Sequence, residues 1–256
     1  MAKGIIVLSE GRSGTNWLCS LTNRTERLGF SAEWFNHTVF AAPFEQKLDS
    51  DAFLDAVLRK ARTPNGVFGL KIFSEQLFRF HETHGVDPLL ELSRMHDIRF
   101  LCLERRDRLR QAISLVRAMQ TKQWTRHDRK KGEAAYDFER ICHAWFKLSS
   151  AFEFWRTWCE IRGVGERRFV YEDLLDDPSP WLAEYLDHTG ERLDIPLQTR
   201  MSVQGDEQSE AWAERFREEA KSADILNGAY QKARNRKLGK LRKLLNAPAT
   251  DRHYFH

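Results

Sequence analysis

The stretch VLSEGRSGTNWLCSL, residues 7–21, concentrates groups suited to holding an anion. An apolar run enters it, Gly11 and Gly14 bracket Arg12 and Ser13, and Thr15 and Asn16 lead into a helix-like Trp17-Leu18. A strand–loop–helix turn of this kind gathers backbone N–H groups at a helix N-terminus, whose partial positive charge favours an anion. Ser13, Thr15 and Asn16 add side-chain donors, and Arg12 adds a permanent planar cation. The set suits a compact oxyanion: a phosphate, or a phosphate carrying a sulfuryl group. The Lys-Ser or Lys-Thr that a nucleoside triphosphatase needs after its second glycine is missing. An exposed arginine in an ordinary turn is the competing account of the same residues.

A second cationic cluster follows another apolar run. DIRFLCLERRD, residues 97–107, reads as a buried strand ending in Arg105 and Arg106, with Ser114 on the helix beyond. Ligands of open α/β sheets bind outside the carboxyl ends of the strands, so both clusters fall at one sheet edge. Two separated anion sites suit a nucleotide with two separated phosphate groups. Arg105 is the first candidate for the second site and Arg106 its alternative, one residue away in register. Lys71, in GLKIF, is a third candidate cation for that nucleotide, although read alone a lysine in a short strand ordinarily faces solvent.

The elements that must position these groups alternate. Strands are expected at 4–9, up to 73, at 98–104 and from 167; helices are expected at 15–24, 51–61, 109–124, 134–162 and 181–190. This alternation predicts an α/β fold, a central parallel sheet flanked by helices. RHDRKKGE, residues 126–133, reads as a polar connection. The 256 residues suffice for a domain with a real core, and 41% hydrophobic with 30% charged residues is ordinary for a globular protein. The net charge of +4 is weighted toward the C-terminus and does not by itself imply nucleic acid. Cys19, Cys102, Cys142 and Cys159 form no Cys-x-x-Cys pair, which argues against a zinc ribbon or a disulfide scaffold and fits a reducing cytoplasm. No apolar segment is long enough to span a bilayer, and MAKGIIVL reads as a first buried strand, not a leader.

Taken together, RSGTNWL, AEWF (32–35), RTPNGVFGLK (62–71), RRDRLRQAISLVRAMQTKQW (105–124) and QGDEQSEAWAERFR (204–217) resemble, in order, the bacterial Stf0-type sulfotransferases, the trehalose 2-sulfotransferases and their relatives. The resemblance implies the P-loop NTPase-like sulfotransferase fold. It also implies the donor 3′-phosphoadenosine 5′-phosphosulfate (PAPS), the product adenosine 3′,5′-bisphosphate, and chemistry that requires no metal. Gly11 to Asn16 then form the 5′-phosphosulfate loop, with Arg12 where the wider superfamily often has lysine. Glu33 matches the family's glutamate and becomes the candidate base for the acceptor hydroxyl, with apolar neighbours expected around it. His37 and His143 are rival bases. Trp34, Arg117, Gln120 and Trp124 become candidate acceptor contacts, the last three at helical spacing; Trp124 fits core packing equally well. Gln204 becomes a donor contact, whereas Trp212 and Phe216, four apart, read chiefly as core.

Residues 1–228 are expected to form the sulfotransferase domain and 229–256 a basic helical tail. AYQKARNRKLGKLRKLL, residues 229–245, is rich in Lys and Arg, lacks acid, and sets Leu238, Leu241, Leu244 and Leu245 on one helical face. Expected partners are a carbohydrate or glycolipid acceptor, a second copy in a homodimer, and an anionic membrane surface met by the tail, with no specific nucleic acid. The expected location is the bacterial cytoplasm, including the periphery of the inner leaflet. The alternatives of a P-loop-type kinase and of a non-catalytic nucleotide- or nucleic-acid-binding protein stay open here.

Overall fold

A computed structural model describes residues 1–125, 128–164, 166–193 and 207–226. The elements run β1 (Lys3–Ser9), α1 (Thr15–Asn23), α2 (Ala42–Glu45), α3 (Ser50–Ala61), β2 (Phe68–Phe73), α4 (Ser74–His84), α5 (Pro88–Met95), β3 (Asp97–Glu104) and α6 (Arg108–Thr121). They continue as α7 (Phe138–Arg162), β4 (Glu166–Val170), α8 (Tyr171–Leu174), α9 (Ser179–Thr189) and α10 (Glu207–Glu219). Two compact units divide the described residues: 1–106 with 151–193, and 107–150 with 207–226.

The first unit holds the sheet. Its four strands are all parallel, in the order β2-β1-β3-β4. Side chains of a strand alternate between faces, and the two cores follow that alternation. Ile6, Leu8, Leu70, Ile72 and Phe100 join α3, α4, α5 and Trp155 on one face. Ile5, Val7, Leu101 and Leu103 join α1, α8 and α9 on the other. β2 lies at the sheet's end, and its outer edge is met by the segment after α1: Ala32 bridges Leu70 in parallel, and the Lys71 N–H donates to the Ala32 carbonyl at 3.0 Å. The approach depends on Gly69, where a Cβ would come 2.3 Å from Ser31 Oγ. Asn23, at the end of α1, clamps the same segment, accepting from the Ser31 N–H at 2.7 Å and donating to its carbonyl at 3.0 Å.

The second unit is helical. Leu109, Ile113 and Val116 of α6 pack with Phe138 and Ile141 of α7 and with Trp212 and Phe216 of α10. Trp212 and Phe216 are therefore core residues, as their spacing predicted. Helix α6 stops at Thr121 rather than 124, where Lys122 turns left-handed at φ 59°. Helix α7 starts at Phe138 rather than 134, because Asp137 accepts from the Arg140 N–H at 3.0 Å and caps it. Helices α4 and α5 were not anticipated; α4 carries few apolar residues, and α5 is short, its leucines following an Asp87-Pro88 start.

Candidate active site

The loop between β1 and α1 is tied down from below. Ser9 Oγ donates to the Leu103 carbonyl at 2.6 Å and Ser13 Oγ to the Glu10 carbonyl at 2.8 Å, and the two hydroxyls are hydrogen-bonded to each other at 2.6 Å. Ser13 is wholly buried; its hydroxyl shapes the loop. Glu10 is buried as well. Its Oε1 accepts from the Ser74 N–H at the start of α4 (2.9 Å) and from the Trp155 indole (3.1 Å), so a carboxylate faces a helix N-terminus. At the top of the turn Arg12 is left-handed (φ 67°), a conformation costing a non-glycine residue about 1–2 kcal/mol and tending to occur at functional sites. Gly14 follows at φ 87° as the N-cap of α1, and a Cβ there would lie 2.1 Å from the Tyr171 ring. No side chain caps α1, and in its first turn the Trp17 N–H donates back to the Gly14 carbonyl at 3.0 Å.

The two arginines after β3 diverge. Arg105 Nη1 donates to the Arg12 carbonyl at 3.2 Å, its guanidinium lies 5.5 Å from the Tyr171 ring centre, and Glu172 stands 3.7 Å away. Arg106 instead grips both oxygens of Asp173 at 2.7 Å, with both side chains exposed. Burial pushes the Tyr171 phenol above its ordinary value, against the pull of Arg105 and Arg12.

Lys71 overturns the expectation for a lone strand lysine. Phe68, Leu70 and Ile72 of β2 face the α3–α5 core, so Lys71 points to the α1 side and is 3% exposed. Its ammonium donates to Asn16 Oδ1 at 2.5 Å and lies 3.1 Å from Glu33 Oε1. Glu33 Oε2 accepts from Asn36 Nδ2 at 3.0 Å and Gln76 Nε2 at 3.1 Å. The apolar neighbours expected around Glu33 are thus an ammonium and two amides. Phe35 lies in the core, stacked on Phe53 at 5.7 Å, and Trp34 is fastened by its indole to the Phe30 carbonyl at 2.8 Å. These aromatics fix the turn that carries Glu33. Of the rival bases, His37 is exposed beside Arg79 and His143 belongs to the second unit's helix α7.

A loop offering oriented N–H groups and an arginine, with a carboxylate joined to its helix by a buried lysine, can hold an anionic donor and take a proton from a hydroxyl. The family model for Stf0 sulphotransferase matches residues 4–219. The chain belongs to the Stf0 sulphotransferase family. Trehalose 2-sulfotransferase of Mycobacterium tuberculosis (strain ATCC 35801 / TMC 107 / Erdman) is 26% identical over 180 residues, covering 66% of this chain and 67% of that protein. Trehalose 2-sulfotransferase of Mycolicibacterium smegmatis (strain ATCC 700084 / mc(2)155) is 26% identical over 187 residues, covering 65% and 66%. The chain thus spans about two thirds of either relative's length. Among the described residues of this Stf0 chain, no helix is long and apolar enough to cross a membrane.

The remaining candidates of the Stf0 chain sit in the second unit. Ser114 is half-buried on α6. Arg117 bonds the Ser209 hydroxyl and donates to Gln208 Oε1 at 2.9 Å. Gln120 spends its amide on Ala135, donating to the carbonyl at 3.0 Å and accepting from the N–H at 2.9 Å; it braces the connection before α7. Trp124 is 44% exposed, not core. Gln204, the 228/229 boundary and the basic tail lie outside the described residues. Asn36, Gln76 and Glu10 were missed as site residues. Only Gln76 carried a signal: a Gln two residues after the helix-starting Ser74, whose Oε1 takes the Phe73 N–H at 3.2 Å.

Proposed function

We propose that this chain transfers a sulfuryl group from PAPS to a hydroxyl of a carbohydrate or glycolipid by in-line displacement. The observation that carries the proposal is the bonded chain Asn16–Lys71–Glu33, which joins an anion-binding loop to a carboxylate within the first unit. The residues fit the donor. Arg12, Thr15, Asn16, the glycines at 11 and 14 and the α1 N-terminus offer donors and cations, and Gly14 has neither the backbone angle nor the room for a Cβ. PAPS, when bound, supplies a sulfuryl group on a phosphate leaving oxygen.

Arg12 and the loop N–H groups stabilise negative charge developing on that leaving oxygen. Arginine keeps its proton near neutral pH and does not act as the acid. Sulfuryl transfer, like phosphoryl transfer, relies on positioning and electrostatics. Glu33 takes the acceptor's proton. Among the described residues, one donor reaches its Oε1 and two reach Oε2; a carboxylate accepts about four, so Oε1 has capacity for the hydroxyl. Arg105, directed at the loop, is preferred to Arg106 for the 3′-phosphate. Ser114 keeps its proposed donor role, and Trp34, Arg117 and Trp124 their proposed acceptor roles; Gln120 is reassigned as a brace.

The test has two parts. Adenosine 3′,5′-bisphosphate should raise the melting temperature and ATP with magnesium should not; a ligand at 100 times its Kd stabilises by about 2.7 kcal/mol. Labelled PAPS should then pass label to a sugar panel led by trehalose. Stabilisation by ATP with magnesium alone would favour the kinase alternative.

A further inference from the structure

Lys71 carries an inference that rests on Glu33 being the base but is tested apart from it. Its ammonium is bonded to Glu33 and Asn16, lies 5.6 Å from the Phe73 ring centre, and sits on a side chain only 4% exposed. Two of its three N–H donors are spent on oxygens inside the protein, away from solvent. We infer that Lys71 is a positioning residue, holding the Glu33 carboxylate in place and tying it to the loop helix through Asn16, not a ligand of the donor.

The geometry explains why a lysine is buried here. A buried ammonium is tolerated only when paired and hydrogen-bonded. Strand alternation directs Lys71 toward α1, and the 30–33 segment on the β2 edge delivers Glu33 to it. Asn16 belongs to the first turn of α1, one residue beyond the loop's Thr15. A rotation of that turn is therefore transmitted to the ammonium and from it to the carboxylate. When Glu33 accepts a proton, the lysine's positive charge remains bonded to Asn16.

The groups facing the pair are few. Gln76 of α4 and Asn36 of Glu33's own turn are amides that do not titrate. Cys19 of α1 lies within electrostatic reach of both; burial pushes its thiol up to about 11, so it stays neutral across the working range. Lys71 is the cation bonded to the Glu33 carboxylate in this cluster.

The experiment compares wild type with Lys71→Met, an apolar side chain of similar length, using nuclear magnetic resonance of protein labelled at its side-chain amides. The amide signals of Asn36 and Gln76, which bond Glu33 Oε2, should move in Lys71→Met. Lys71→Arg should bring them back toward their wild-type positions. Calorimetry with adenosine 3′,5′-bisphosphate should give Kd within about twofold of wild type for Lys71→Met. Where that variant does not fold, Lys71→Gln, neutral but able to donate, serves in both arms. Unmoved amide signals overturn the inference, and so does a tenfold or greater loss of nucleotide affinity, which would make Lys71 a donor ligand. With PAPS and trehalose as probes, a Glu33→Gln variant of normal rate would remove Glu33 as base and leave the amide-signal result standing. The two failures are therefore distinct.

Discussion

Two cation–carboxylate pairs of the first unit use similar chemistry at opposite depths. Lys71 and Glu33 meet at 3.1 Å with side chains 4% and 20% exposed; Arg106 and Asp173 meet at 2.7 Å with 61% and 59% exposed. The shorter, bidentate pair is the one that matters less. Water screens it, and ordering two long exposed side chains offsets most of its attraction. The longer pair sits where screening is weak, so each partner depends on the other, and breaking it strands a charge. Distance alone would rank the two pairs the wrong way round; burial and the further bonds to Asn16, Asn36 and Gln76 decide.

The sharpest way to break the buried pair is Glu33→Gln, which keeps shape and removes charge. Transfer should fall on the order of 10²–10⁴-fold in kcat, while calorimetric binding of adenosine 3′,5′-bisphosphate stays near wild type. Stability should fall too. The Lys71 ammonium keeps a carboxamide oxygen but loses its countercharge, and breaking a buried pair costs on the order of 3–5 kcal/mol, here at the lower end. Thermal unfolding should therefore show Glu33→Gln less stable than Lys71→Met, because Glu33 reaches water and retains two amide donors whereas Lys71 does not. The reverse order of melting temperatures would mean that burial does not govern this pair.

Arg12→Ala comes next and tests the loop against both pairs. It removes the cation beside the leaving oxygen and should lower kcat by about 10²–10³-fold. It also replaces one left-handed non-glycine residue by another, leaving the strain in place. Arg12→Lys should keep measurable transfer. Wild-type turnover in Arg12→Ala would show that the loop does not hold the reacting group.

What the sequence made legible follows the same division between local and distant contacts. The loop could be read because its local signals lie within residues 7–21: an apolar strand, two glycines at turn positions, donors, and a helix start. The parallel sheet could be read from alternating segments. The burial of Lys71 could not. It depends on a segment some forty residues earlier lying along the β2 edge, an approach allowed by Gly69 and clamped by Asn23, and no periodicity records such a meeting. The inward turn of Ser13 was hidden for the same reason, since its partner Ser9 is held by Leu103 of another strand. Helix α4 escaped because SEQLFRFHETH carries too few apolar residues to announce itself, although its Gln76 reaches Glu33.

Arg105→Ala tests a cation of intermediate depth, 21% exposed and directed at the loop. It should raise the KM for PAPS by about 10–100-fold, the loss of one or two charge-assisted bonds at about 1.5–3 kcal/mol. The KM of a donor analogue lacking the 3′-phosphate should change far less. Equal effects on both donors would assign Arg105 to the loop's support alone.

The smallest effect belongs to Arg106→Ala, and it is informative because it should be small. Arg106 adjoins Arg105 in sequence, carries the same charge, and stands at the same sheet edge, so net charge alone would make the two substitutions equivalent. Their bonds make them different. The Arg106 guanidinium is committed to Asp173 and exposed, and only its backbone N–H reaches Glu172, at 2.8 Å. Alanine keeps that N–H. Asp173 is left exposed, where water replaces the lost partner. The KM for PAPS should therefore stay within about twofold of wild type, and the melting temperature should not change measurably, as for most exposed pairs. Raising the salt concentration should shrink any residual difference, because screening acts on exposed charges first. A rise in the PAPS KM matching that of Arg105→Ala would reverse the assignment, with Arg106 leaving Asp173 to meet the 3′-phosphate and Arg105 serving only to hold the Arg12 carbonyl.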